Sequence, residues 1–145
     1  MSLQNLVGVS LETIPPSKQT IRRLLEGAAR YIADAKVKGV SAETRFGLAY
    51  SAIRMLADVG LHAHGYRTLT SRPGHHQTAI QALTLTLGLE ARLVVRLDAL
   101  RKQRNLTEYT GDTIPEATAA ECLLQAEALY ATATAWLKSH TPELI

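Results

Sequence analysis

The chain has 145 residues, of which 46% are hydrophobic, 20% charged and only 5% aromatic, with a formal net charge of +3. That length suits a single domain spanning residues 1–145 with one core, and abundant Ala and Leu beside few aromatic residues favours helix over sheet. A lone cysteine excludes an intrachain disulfide and argues against a Cys-based metal site; no apolar run approaches the ~20 residues of a membrane span. The first residues lack the regions of a signal peptide, so a cytoplasmic protein without membrane contact is expected.

Residues 1–16 read as an extended N-terminal segment closing on Pro15-Pro16. Ser17 is placed to cap a first helix whose Ile21, Leu24, Leu25, Ala28, Ile32 and Ala35 share one face, ending near Lys38-Gly39. Ser41 caps a second, striped by Phe46, Ala49, Tyr50, Ile53, Ala57, Gly60 and Leu61 and running to about His64. Gly65 to Gly74, with a proline among Ser, Thr and Arg, reads as the longest internal loop. A third helix from His75 uses Ala79, Ile80, Leu83 and Leu87, and Gly88 interrupts it.

Leu89, Leu93, Leu97 and Leu100 then lie along one face of a fourth helix, and the next position on that line is Arg104. A guanidinium therefore ends a leucine stripe. Thr110 to Pro115 breaks the chain, and Pro115 starts a last helix. There, Ala117, Ala120, Leu124, Ala128, Ala131 and Ala135 follow one line, while Leu123, Ala126, Tyr130, Ala133 and Leu137 follow another. Cys122 fits this helix as a small hydrophobe. The whole predicts an all-α, up-and-down bundle of four to five helices.

Charge is segregated along the chain. Residues 17–104 hold fifteen Lys or Arg against six acids, and residues 105–145 hold one Lys against six acids. Such asymmetry suits an anionic partner such as nucleic acid near the basic part, and equally suits self-association of complementary surfaces. The helix-end cluster Arg101, Arg104, Asn105 and Glu108, with Tyr109 beyond it, is the sharpest candidate for binding. Its competing reading is internal ion pairing, Arg101 and Arg104 with Glu108, Asp98 or acids of the last helix.

In helix order, and in an Arg-Asn pair ending the penultimate long helix, the chain resembles the HEPN domain family. Arg104-Asn105 matches the start of that family's Arg-x4-6-His motif. Glu108-Tyr109 looks like the acidic-Tyr variant of branches encoded beside minimal nucleotidyltransferases. The resemblance implies a HEPN-like homodimer binding RNA or a nucleotide as part of a toxin–antitoxin or defence system. For Arg104 and Tyr109 it implies the catalytic positions of a metal-independent endoribonuclease that needs no cofactor. Cleavage asks for a cation on the phosphorane and a group to move the 2′-hydroxyl proton. Arg104 meets the first demand, but a phenol with an ordinary pKa of about 10 is a poor base at neutral pH. The alternative is a non-catalytic dimeric interaction module partnering a nucleotidyltransferase or another protein, with Tyr109 as a modification target.

Four histidines, His62, His64, His75 and His76, flank the basic loop that holds Tyr66, Arg67 and Arg72. His62 and His64 are about 200° apart on a helix, so their spacing opposes a metal site. Arg67, Arg72, His75 and His76 instead suit phosphate contact, and a plain solvated loop is the competing reading. Tyr31, Tyr50, Tyr130 and Trp136 fall on or beside apolar faces and read as packing residues. No GxGxxG, Walker, GxSxG or HExxH pattern is present, so the chemistry of those motifs has no support.

Overall fold

Ser17 accepts a hydrogen bond from Thr20 N at 3.2 Å and Ser41 one from Thr44 N at 3.1 Å, so both expected caps open their helices, α1 (Lys18–Ala35) and α2 (Ala42–Ala63). Each cap satisfies one amide that the first helical turn leaves free. The computed structural model describes residues 2–71 and 73–145. After α2 come α3 (His75–Gln81), α4 (Leu83–Leu87), α5 (Ala91–Thr110) and α6 (Glu116–His140). The fold is an all-α bundle.

The helix expected from His75 to Gly88 is two short ones broken at Ala82, so six helices are described rather than four or five. The expected fourth helix begins later than its leucine pattern: Leu89 precedes α5, though it is buried with Leu97 and Leu100. Two segments read as extended or looped hold a small ribbon. β1 (Leu11–Thr13) pairs antiparallel with β2 (Tyr66–Thr68) in the register Leu11↔Thr68, Glu12↔Arg67, Thr13↔Tyr66. A three-residue 3-10 turn, Gln4–Leu6, precedes it. Such brief pairing leaves almost no periodic signal in the sequence.

The central helix is α2, packed against α1 and α6 on one side and α3, α4 and α5 on the other. Covered on both sides, it buries twelve residues around most of its circumference, among them Phe46, Tyr50, Ile53, Leu56 and Leu61. Each large apolar side chain so buried contributes about 1.5–3 kcal/mol. Gly60 permits the approach of α4, because a Cβ there would stand 2.6 Å from Thr86 Oγ1.

In α6 the inward line is Ala119, Cys122, Ala126, Leu129, Ala133 and Leu137. That corrects the sequence reading in part, since the line from Ala117 through Leu124 to Ala135 is exposed. Both lines are Ala-rich and similarly spaced, and only the placement of α1 and α2 selects between them. Cys122 is buried as expected, its thiol pushed up to about 12 by burial and the nearby Glu121.

Two ties fix the end of α5, where the candidate cluster sits. Gly111, at φ +74, closes the helix by donating its N–H to Thr107 O at 2.8 Å, a left-handed cap suited to glycine. From α2, Glu43 accepts a hydrogen bond from Ile114 N at 2.9 Å, anchoring the turn into α6.

Candidate functional site

At i, i+4 and i+8 on α2 stand Tyr50, Arg54 and Asp58, facing the start of α3 and the last turns of α5. Gly74, left-handed at φ +79, turns the chain into α3 and places His75 and His76 beside α5. There an open cleft of about 190 Å³ is lined by Gly74, His75, His76, Gln77, Arg101, Arg104 and Asn105. The packing of α3 on α5 thus joins the histidine pair to the arginine cluster.

Arg104 lies with its guanidinium carbon 5.4 Å from the centroid of the Tyr50 ring. A flat, weakly hydrated cation can cover an aromatic face, gaining about 0.5–2 kcal/mol. This explains why a guanidinium can end the leucine stripe: it caps a ring that is itself only 2% exposed. Beneath it, the Tyr50 hydroxyl and His76 Nδ1 are 3.4 Å apart. Burial pushes the Tyr50 phenol up to about 12 despite the opposing charges of Arg104, Arg101 and Arg54. His76 is pushed down to about 4, first by burial and then by Arg54, His75, Arg104 and Arg101. At neutral pH the phenol is protonated and the imidazole uncharged.

The expected internal pairing is also present. Arg101 donates through Nε to Asp98 at 2.7 Å, with both side chains largely buried, and Arg104 pairs with Glu108 at 3.1 Å. Burial raises the Asp98 carboxyl, but the hydrogen bond and charge of Arg101, helped by Gln81 and Lys102, outweigh it and leave the group below its usual range. Each acid engages one edge of a guanidinium that carries five N–H donors. Among the described residues the other donors of Arg101 and Arg104 have no hydrogen-bond partner, and both arginines line the cleft.

Other expected residues are not gathered here. Glu108 lines a neighbouring groove on the opposite side of Arg104, with Glu43, Phe46, Gly47, Thr107 and Ile114. Tyr109 is 93% exposed and is not among the residues that line the cleft within one chain. Five residues turn a helix by about 140°, which sends the two side chains apart. Arg67 is on β2, tied to Glu12 at 2.6 Å across the ribbon. Arg72 lies outside the described residues. Among the described residues, no group of three or more His, Cys, Asp or Glu could hold a metal ion.

Sequence reasoning missed Arg54 and Asp58 and took Tyr50 only as packing. Their four-residue spacing on α2 was the available signal, a polar line beside an apolar one. Asp58 is largely buried, and its carboxyl is pushed up to about 6 by that burial despite Arg54 and His75. A second feature of α5 is its outward face, where Val95, Ala99, Lys102, Leu106 and Tyr109 recur at helical spacing. Val95 and Leu106 there are 69% and 51% exposed. Comparison of the chain with models of protein families, with curated proteins and with solved structures gives no match.

Proposed function

We propose that this bundle is a HEPN-like RNA- or nucleotide-binding protein, acting in the cytoplasm, whose ligand phosphate sits in the cleft of Arg101, Arg104, Asn105, His75 and His76. The observation that carries the reading is the convergence of these side chains from two helices distant in sequence. The Arg-Asn-x-x-Glu-Tyr sequence before the last long helix supports the family, and a role in toxin–antitoxin or defence systems comes with it. The reading is binding rather than strand cleavage, because a tyrosine stands where the family's catalytic His is expected and a phenol is a poor base at neutral pH.

Salt dependence tests it. Two or three cations on a single-stranded oligoribonucleotide give a log Kd against log salt slope of roughly 1.4 to 2.1. Fluorescence anisotropy across a salt series reads that slope; absence of binding at low salt removes the proposal.

The outward face of α5 favours a homodimer, and it fits equally the second reading of a non-catalytic module docking a nucleotidyltransferase. Leu106→Asp is expected to turn a dimer into a monomer in light scattering while leaving the fold intact, since that side chain is solvent-exposed. A wild-type chain that is monomeric at high concentration rejects self-association through this face.

A further inference from the structure

The phosphate cleft rests on a polar pair that the arginine motif does not include, and the state of that pair defines what the cleft accepts. Tyr50 is buried and keeps its proton, so its hydroxyl can donate. Among the described residues its hydrogen-bond partner is His76 Nδ1 at 3.4 Å, which is the acceptor when the phenol donates. Once Nδ1 accepts, the single proton of a neutral imidazole resides on Nε2, on the far side of the ring. The ring stays neutral first because it is buried, and then because Arg54 from α2, His75 beside it, and Arg104 and Arg101 from α5 oppose a positive charge on it. In that tautomer His76, which lines the cleft, carries an N–H donor rather than a lone pair on its other nitrogen. Such a group cannot accept a 2′-hydroxyl proton, but it can donate to a phosphate oxygen.

Size and charge narrow the ligand. A cleft of about 190 Å³ is smaller than the roughly 300–1,000 Å³ of sites that engulf a whole small molecule. It has room for one phosphate group, and because it is open the rest of a ligand would lie outside it. The donors converging there are two guanidinium groups, an imidazole N–H and the Asn105 amide, with Arg54 adding charge behind them. A phosphate monoester is nearly dianionic at neutral pH and presents three terminal oxygens. An internal phosphodiester has one charge and two free oxygens, with chain leaving on both sides.

Resting on the phosphate-binding reading above, we propose that Tyr50 and His76 make the cleft a receptor for a terminal phosphate monoester, such as the 5′-phosphate of an RNA strand or nucleotide. Tyr50 is a positioning residue, fixing the tautomer of His76, and His76 contacts the ligand.

The test compares one oligoribonucleotide with a 5′-phosphate and with a 5′-hydroxyl, using a 3′ fluorophore and anisotropy. At pH 7 the phosphorylated strand is expected to bind at least tenfold more tightly. Tyr50→Phe keeps the ring under Arg104 but removes the donor, and His76→Ala removes the contact; both should bring the phosphorylated strand to the affinity of the other. His76→Gln restores an N–H donor and should recover part of the preference. Nitrogen-15 NMR of the His76 side chain should show the Nε2–H tautomer in the wild type and its loss from sole occupancy in Tyr50→Phe. Equal binding of the two strands, or the Nδ1–H tautomer in the wild type, overturns the monoester receptor while leaving RNA binding standing. Failure of both strands to bind overturns the underlying reading as well.

Discussion

Arg104→Ala is expected to weaken binding of a single-stranded oligoribonucleotide by about 10- to 100-fold at fixed salt. A hydrogen bond to a charged group contributes about 1.5–3 kcal/mol, and each 1.4 kcal/mol is a factor of ten in affinity. The loss goes beyond one contact, because Glu108 pairs with Arg104 at 3.1 Å and loses that partner, leaving a carboxylate in the groove beside the cleft. Arg104→Lys keeps the charge but not the flat fork, so an intermediate loss is expected. The fold should survive, since the Arg104 side chain is 32% exposed and its cover over Tyr50 is a modest contribution. Anisotropy with circular dichroism as the fold control decides the matter. Affinity unchanged in Arg104→Ala would remove the cleft from the binding surface.

The parts of this molecule legible in the sequence are those set by local chemistry. Ser17 and Ser41 are readable as caps because an N-cap acts within three residues of itself. The leucine stripe and its arginine end are readable because helical spacing alone brings them to one face. His75 and His76 could not be joined to Arg104 that way, for their meeting depends on how α3 packs against α5. Tyr50 shows a different failure. Periodicity marks it as buried, which it is, but says nothing of where its hydroxyl points. Tyr109 differs again, since a linear motif groups it with Arg104 while five residues of helix set the two side chains about 140° apart. The two faces of α6 were ambiguous because alanine suits both close packing and exposed helix.

Asp58→Asn is expected to stabilise the protein at pH 7.5 by up to about 3 kcal/mol, the scale set by raising a carboxyl from 3.8 to about 6 at 1.36 kcal/mol per unit. The direction follows from linkage. The folded state holds the Asp58 proton more tightly than the unfolded chain, so between pH 4 and 6 it binds more protons and loses stability as pH rises. Above pH 6 the cost is complete; below pH 4 it is absent. Burial is the cause, only partly offset by Arg54 and His75. Asn has nearly the same shape and no charge, so its advantage should be full at pH 7.5, shrink through pH 6 and vanish near pH 4. Urea unfolding of both chains at several pH values reads this difference directly. An offset that does not change with pH would show that Asp58 is not the strained group. The same substitution also separates stability from function: Asn at position 58 should make a firmer bundle whose unbalanced Arg54 alters phosphate affinity, whereas a merely structural residue would change the first quantity alone.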